Sequence, residues 1–332
     1  MLKIGKIPRI QREPLSKDEA SAALSTKASL LSSRLPRADY FNIYKNMTVL
    51  FIGDQSMRTM YRDLCHMFKF DRMLDYTDAK RSDGDYKLLQ DEEIIFKTGQ
   101  KGTDLYYDIK QFYLKEKNIK LIHVHLSTLF NDRGPKNLEF IKRINQQSQI
   151  DVILFTSYSN DVTECKIGRS NLTLNDYFTS YLAVFDQFAN YLRQFCNTVD
   201  KKQQLYFWLS PLPKPFDKSS IKESQFENLL DQSRDIVKKH NYIEFDRYDI
   251  WKRRKDLTIP DNGYISLHGY REMTDSFARC LARKLNRPFT SAIPSWKSPV
   301  NCFNSLESNN KQSNQSASKA LPKYNRHHPY AR

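Results

Sequence analysis

Val49-Leu50-Phe51-Ile52-Gly53-Asp54-Gln55-Ser56 begins a stretch, residues 49–64, in which an apolar run stops at Gly-Asp and turns at once into a helical pattern. Large side chains then recur at helical spacing, at Met57, Met60, Tyr61 and Leu64. Gly53 permits a tight turn, and Asp54 can accept hydrogen bonds from the free N–H groups of a first helical turn. The stretch therefore predicts a strand, a sharp turn and the start of a helix.

Position 55 follows the carboxyl end of this predicted strand. Open α/β sheets bind their ligands in the crevice outside the carboxyl ends of the strands. The side chain of Gln55 is therefore expected to lie at a ligand site.

Two motifs far apart in the chain resemble one known family. The first is Gly53-Asp54-Gln55-Ser56-Met57-Arg58, followed by Tyr61-Arg62-Asp63-Leu64. The second is Asp261-Asn262-Gly263-Tyr264, followed by His268-Gly269-Tyr270-Arg271. Both are similar to motifs of the PC-esterase domain-containing protein 1 group, within the GDSL/SGNH hydrolase superfamily. The resemblance covers about residues 40–287, with strong motifs at its two ends and weak similarity between them.

The resemblance implies a catalytic triad in which two residue types are replaced. Gln55 stands at the position of the Ser nucleophile and Tyr264 at that of the His base, whereas Asp261 stands where the family has its acid. A Gln amide is not a useful nucleophile, and a Tyr phenol, with an ordinary pKa near 10, is a poor base at neutral pH. The first hypothesis is a catalytically inactive protein that binds an acyl, glycan or protein ligand or serves as a scaffold.

A third motif, Ser157-Tyr158-Ser159-Asn160-Asp161, follows another predicted strand. Superfamily members carry Gly-x-Asn-Asp here, and the resemblance implies that the amide of Asn160 would donate to an oxyanion. Asn and Asp are also ordinary turn residues, and without a nucleophile the turn interpretation is preferred. Asp54, Gln55, Asn160, Asp161, Asp261 and Tyr264 together form the predicted degenerate site.

Two residues would rescue an active esterase or acyl hydrolase, the second hypothesis. Ser56 would become the nucleophile if the turn shifted by one residue, although hydrogen bonding at the helix start is its expected role. His268 would serve as base, although it lies seven residues from Asp261 and is expected to open the last helix.

Strands and helices alternate along the chain, which predicts an α/β fold with a parallel sheet. The resemblance narrows this prediction to a flavodoxin-like SGNH-hydrolase three-layer sandwich. Residues 71–117 are polar with short extended pieces, typical of an insertion or a small antiparallel addition. His123 and His125 share one face of the predicted strand 119–126, but no third ligand is evident, so two ordinary histidines are preferred to a metal site.

Composition limits the domain organisation and the compartment. The 332 residues predict one domain, 37–287, preceded by an N-terminal arm, 1–36, and followed by a disordered basic tail, 288–332. Five cysteines without paired spacing indicate reduced thiols and a cytoplasmic or nuclear location. No transmembrane segment, cofactor or metal is predicted, and the ligand or protein partner remains unknown.

A net charge of +15 indicates attraction to polyanions. The third hypothesis is a nucleic-acid-binding or other polyanion-binding protein that uses the basic tails and a basic patch, Lys252, Arg253, Arg254 and Lys255. They close the run Arg247–Lys255, in which the aromatic rings of Tyr248 and Trp251 are interleaved with basic side chains, as in many single-strand binders. A solvated surface loop is the commoner explanation of such a run.

Overall fold

Within the described residues, the computed structural model of the chain has a central sheet of seven strands. The structure describes residues 34–74, 88–100, 106–126, 128–129, 141–143, 145–146, 149–157, 161–162, 170–196, 204–213, 221–257 and 265–289. The strands are β1 (Met47–Gly53), β2 (Glu92–Thr98), β3 (Tyr107–Leu114), β4 (Ile119–His125), β5 (Val152–Phe155), β6 (Leu205–Leu209) and β7 (Ile243–Phe245). The helices are α1 (Arg37–Tyr44), α2 (Gln55–Phe70), α3 (Leu174–Cys196), α4 (Glu223–Lys239), α5 (Tyr248–Lys252) and α6 (Leu267–Lys284), with 3₁₀ turns at Lys115–Lys117 and Lys255–Leu257.

Five neighbouring strands run parallel, in the order β4-β1-β5-β6-β7. Numbered among themselves along the chain, they follow the order 2-1-3-4-5 of flavodoxin-like folds. β2 and β3 extend the sheet beyond β4 in antiparallel orientation. The predicted α/β fold class is confirmed, but the sheet is mixed because part of residues 71–117 forms this antiparallel addition.

Helices cover both faces of the sheet. All seven residues of β1 are buried. Val49 and Phe51 pack in one core cluster with α1, α2 and α6, whereas Leu50 and Ile52 pack in a second cluster with α3 and α4. Successive strand residues point to opposite faces, so a strand buried on both faces needs a continuous apolar run. The run seen in the sequence therefore specifies the central layer of a three-layer sandwich.

Most predicted elements lie close to their expected positions. α2 begins at Gln55, two residues before the predicted start, because Asp54 caps it by accepting the N–H of Ser56. The pattern of residues 174–197 predicts a helix with a stripe of aromatic core residues, and in α3 the side chains of Tyr177, Tyr181, Phe185 and Phe188 are buried. The residue pattern of 135–147 predicts a helix, and residues 141–143 and 145–146 within this range are helical.

Some predictions fall on residues that the structure does not describe. Of the predicted arm and tail, only residues 34–36 and 288–289 are described. Cys65 and Cys280 carry free, buried thiols. None of the described helices combines the length and apolar character needed to cross a bilayer.

Candidate functional site

The chain order places a crevice at the carboxyl ends of β1 and β5. Among the parallel strands, β4 follows β1 in the chain and lies on one side of β1, whereas β5 comes next and lies on the other side. The strand order therefore reverses at β1. Flavodoxin-like sheets bind ligands at such a reversal. Gly53 ends β1 here with a φ of +156°, and a Cβ added at this position would lie 2.6 Å from Cγ2 of Thr156, which directly follows β5. Only glycine fits between the two strand ends.

Gln55 and Ser56 have opposite exposures at the start of α2. The side chain of Gln55 is exposed, whereas Ser56 is only 6 % exposed. The backbone N–H and the hydroxyl of Ser56 both donate to Oδ1 of Asp54, over 2.8 and 2.7 Å. The hydroxyl of Ser56 is therefore committed to the helix cap, in the role that the sequence favoured for it.

Arg247 is the largest polar side chain in this region and is only 1 % exposed. Its Nη1 donates to Oγ of Ser56 over 3.2 Å, Nη2 donates to Oγ1 of Thr156 over 2.6 Å, and Nε donates to the carbonyl of Ser210 over 2.6 Å. Ser56, Thr156 and Ser210 follow β1, β5 and β6, and Arg247 itself follows β7. One guanidinium thus ties together the carboxyl ends of four parallel strands.

The charge of Arg247 has little direct compensation. It forms no salt bridge in the described part of the chain, and burial lowers its pKa to about 10, although the nearby carboxylate of Asp54 opposes this shift. In the sequence we grouped Arg247 with the basic run that precedes Lys255. Its position directly after the strand that the sequence predicts over 242–246 indicated the carboxyl edge of the sheet, but nothing in the sequence indicated that it is buried.

Tyr270 lies at the rim of the site and was likewise quoted only as part of a motif. Its half-buried ring lies on the first turns of α6 and hydrogen-bonds Thr59, whose hydroxyl donates to the carbonyl of Gln55 over 2.9 Å. Burial and the carboxylate of Asp54 raise the pKa of the Tyr270 phenol, while Arg247 opposes them. The phenol therefore stays neutral at physiological pH and can donate or accept a hydrogen bond.

Asp161 is buried and holds two loops together. Its carboxylate accepts hydrogen bonds from the hydroxyl of Thr128 and, over 2.9 Å, from the N–H of Leu129, just beyond β4. The phenol of Tyr177 on α3 donates to its carbonyl over 2.5 Å. These contacts fit the preferred interpretation of Asp161 as a turn residue. The other predicted site residues on this side, Asn160, Asp261 and Tyr264, lie outside the described residues.

His268 is exposed at the second position of α6. Its Nδ1 lies 3.5 Å from Nη2 of Arg34. The Oγ of Ser56, which a displaced base would have to reach, instead hydrogen-bonds Asp54 and Arg247. The two residues proposed to rescue activity are therefore not hydrogen-bonded to each other.

The basic patch near α5 differs from the interpretation of the sequence. Tyr248 and Trp251 are buried, so their rings are not available for stacking on bases. Lys252 lies 2.7 Å from both Glu223 and Glu227, and hydrogen bonds to these carboxylates raise its pKa. Arg254 pairs with Asp256. Arg253 is exposed, and the side chain of Lys255 is not described.

His123 and His125 are both buried on the face of β4 that packs against α2. Nδ1 of His123 lies 3.9 Å from Oδ1 of Asp108, whose other oxygen pairs with the buried Lys110. Burial lowers the pKa of His123 to about 3. Within the described segments, no three His, Cys, Asp or Glu side chains converge as a metal site would require.

Comparison with known proteins finds solved structures of low similarity. No family model and no curated protein matches the chain. An α/β hydrolase enzyme, LAE5, from the metagenome of Lake Arreo is 12 % identical, with a TM-score of 0.43 over 71 % of this chain and 97 % of that one. The acetylxylan esterase Axe2 from Geobacillus stearothermophilus is 14 % identical, with a TM-score of 0.40 over 76 % and 100 %. A peptidoglycan O-acetylesterase is 6 % identical, with a TM-score of 0.46 over 79 % and 95 %. These values are too low to transfer an activity.

Proposed function

We propose that this chain is a catalytically inactive, PC-esterase-like SGNH protein that acts as a binding or scaffold module. One observation carries the proposal. The exposed position at the start of α2 is occupied by Gln55, while the neighbouring hydroxyl of Ser56 is buried between Asp54 and Arg247. The resemblance of the two motifs to the PC-esterase group supports the family, and the arrangement around position 55 supports the proposed loss of activity.

Ester hydrolysis needs an accessible nucleophile with a base within hydrogen-bond reach. The Gln55 amide carries no ionisable proton. The hydroxyl of Ser56 donates to the carboxylate of Asp54, and the same oxygen of Asp54 also accepts the backbone N–H of Ser56, so this carboxylate is engaged in capping the helix. Because Ser56 is 6 % exposed, a substrate carbonyl would also have to displace the helix start before it reached the oxygen.

The same crevice is suited to holding a ligand without cutting it. Gln55 offers an amide donor and an amide acceptor at the carboxyl end of β1, and the phenol of Tyr270 lies one helical turn away, beside Thr59. Arg247 holds the strand ends beneath them in fixed positions. Hydrogen-bonding groups on a rigid floor favour a polar ligand, such as a glycan, an acyl group or a segment of another protein.

Labelling with a fluorophosphonate serine-hydrolase probe tests the proposal. The natural protein should stay unlabelled, and the pair Gln55→Ser with Tyr264→His should react at position 55 if the rest of the site is intact. Ser56→Ala, in the natural background, is the matched control. Strong labelling of the natural protein that disappears in Ser56→Ala would instead establish an active hydrolase that uses the displaced serine.

A further inference from the structure

A charged surface separate from the basic patch near α5 lies at the amino ends of β1 and β4. The crevice lies at the opposite ends of these strands. The charged surface consists of six basic side chains, namely Arg37, Lys45, Lys115, Lys117, Lys120 and Arg287. We refer to them as the amino-edge surface. The seven residues of β1 separate it from position 55 by about 20 Å, at about 3.3 Å per residue.

Contacts between the segments hold this surface together. Nη1 of Arg287 donates to the carbonyls of Ile43 and Lys45, over 2.6 and 3.1 Å, where α1 ends. The N–H of Asn46 donates to the carbonyl of Lys117 over 3.2 Å, so the turn after α1 lies against the 3₁₀ turn before β4. The surface is therefore one continuous patch built from three parts of the chain.

Two aromatic rings are set between these cations. The ring of Phe41 has the guanidinium of Arg37 at 4.9 Å and the ammonium of Lys117 at 5.4 Å. The ring of Tyr113 has the ammonium of Lys120 at 5.5 Å. Contacts of this kind fix long basic side chains that would otherwise be mobile, so part of the entropy cost of ordering them is already met.

The balance of charge at this edge is unlike that of the basic patch near α5. Lys45, Lys115 and Lys117 are exposed and form no salt bridge in the described part of the chain. Glu116 is an exposed carboxylate within the patch, and the half-buried carboxylate of Asp151 accepts the N–H of Thr48 beside it, over 2.8 Å. Near α5, by contrast, Lys252 pairs with two glutamates and Arg254 with an aspartate. Positive potential therefore accumulates at the amino edge and is cancelled near α5.

We infer that the amino-edge surface binds the phosphate backbone of a nucleic acid. A cluster of neighbouring cations can contact several phosphates of one strand, and neutralising these phosphates releases condensed counterions. The exposed amides of Asn46 and Asn118, joined over 3.4 Å between the cations, add donors for phosphate oxygens. Contacts of this kind read no bases, so the binding is independent of sequence.

The aromatic rings favour this partner over an anionic membrane. Membrane-surface segments insert exposed apolar side chains below the headgroups. Here Phe41 is half-buried between two cations, and the phenol of Tyr113 donates to Asn118 over 3.2 Å. Neither ring is placed to insert, whereas an aromatic ring beside a lysine is a common feature of single-strand binding surfaces.

Fluorescence anisotropy of the full chain with labelled single-stranded RNA and DNA of equal length, between 50 and 200 mM KCl, tests the inference. Lys45→Gln/Lys115→Gln/Lys117→Gln should weaken binding at 50 mM KCl by about tenfold or more and lower the salt slope by about two, at roughly 0.7 per lost phosphate contact. The corresponding arginine variant, which keeps the charge, should retain binding. Lys252→Gln/Arg253→Gln/Arg254→Gln removes the same charge elsewhere and should change affinity by less than about threefold, since two of its cations are already paired.

Three outcomes would overturn the inference. In the first, the natural chain does not bind at 50 mM KCl; in the second, the two glutamine triple variants lose affinity equally; in the third, the amino-edge triple variant keeps the affinity of the natural chain. Vesicles containing phosphatidylserine and a poly-glutamate peptide serve as competing anions. If either displaces the nucleic acid at an equal concentration of charge, the surface recognises negative charge in general and the assignment to nucleic acid is wrong. Matching thermal unfolding of all variants establishes that the exposed substitutions leave the fold intact.

Discussion

Arg271 on α6 donates from Nη2 to Oδ1 of Asp63 on α2 over 2.8 Å, and both side chains are at most 2 % exposed. These residues come from the two separate motifs that carry the family resemblance, and they lie 208 positions apart in the chain. Nε of Arg271 also donates to the same oxygen, over 3.2 Å, so two N–H groups of one guanidinium bind a single carboxylate oxygen. The motifs thus contain a structural link between α2 and α6, in addition to the positions associated with chemistry.

Asp63→Asn should destabilise the fold strongly. It leaves the buried guanidinium of Arg271 without its counter-charge, and removing one partner of a buried pair costs about 3–5 kcal/mol. Urea unfolding followed by circular dichroism measures the change. Asp63→Leu with Arg271→Met removes both charges and should recover most of the loss. A loss below about 1 kcal/mol in Asp63→Asn would mean that the pair does not link the helices energetically.

Arg247→Met should loosen the floor of the crevice. The change removes the buried guanidinium and its three hydrogen bonds, and it leaves acceptors at Ser56, Thr156 and Ser210 unpaired. We expect the free energy of unfolding to fall by about 2–4 kcal/mol. Hydrogen exchange should speed up most at the start of α2. Arg193→Met is the matched control, because Arg193 packs on the ring of Tyr206 at 4.0 Å and is only half-buried. Equal effects in the two variants would contradict a special role for Arg247.

The difference between prediction and structure at this site has a physical cause. Periodicity and turn residues identify a strand end, so Gln55 could be placed in the crevice from local sequence alone. The burial of Arg247 could not be predicted in this way, because its neighbours Arg253, Arg254 and Lys255 form a basic run. Composition does not reveal which cation of such a run is buried. Its partners, Ser56, Thr156 and Ser210, meet only when four strands align, which is long-range information.

The sheet gives a second example. Alternating strands and helices indicate parallel crossovers, and this part of the fold followed from the sequence. β2 carries exposed residues on both faces, including Ile94 at 37 % and Phe96 at 47 %, so it lacks the alternation of a half-buried strand. A bulge between these two residues breaks the register further. The sequence therefore left open whether this segment was an insertion or an antiparallel addition to the sheet, although its extended character was visible.

The buried ring of His123 should make stability depend on pH. Its pKa is about 3 in the folded protein, against an ordinary value near 6.5, because burial disfavours the charged ring. Below pH 6.5 the unfolded chain therefore binds a proton that the folded chain does not, so stability falls as pH is lowered from about 6.5 towards 3. Between pH 7 and 5 we expect a loss of about 2 kcal/mol from this group.

His123→Leu should flatten the dependence of unfolding free energy on pH over the same interval, as urea titrations at pH 5, 6 and 7 would measure. The leucine removes the proton-binding ring and keeps an apolar side chain beside Tyr61, whose ring centroid lies 5.5 Å from that of His123. His268→Gln, which replaces an exposed ring, is the control and should leave the slope unchanged. An unaltered slope in His123→Leu would assign the dependence to other groups.

Gly53→Ala tests whether the close approach of β1 and β5 sets the turn that presents Gln55. The new methyl group would lie 2.6 Å from Cγ2 of Thr156 and 3.2 Å from its carbonyl, in a backbone conformation that side chains rarely adopt. Overpacking of this kind costs about 1–3 kcal/mol, measured by thermal or urea unfolding. The effect should centre on residues 53–58, where hydrogen exchange would rise.

Thr156→Ser supplies the matching test, because it removes Cγ2 and keeps the hydroxyl that donates to the Leu209 carbonyl and accepts from Arg247. Alone it should cost about 1 kcal/mol, the value of one buried methyl group. Combined with Gly53→Ala it should recover part of the loss, giving a coupling of about 0.5–3 kcal/mol in a double-mutant cycle. Recovery should remain incomplete, since the contact with the Thr156 carbonyl and the positive φ persist. Strict additivity would show instead that backbone strain at Gly53, and not contact between the strand ends, shapes the crevice.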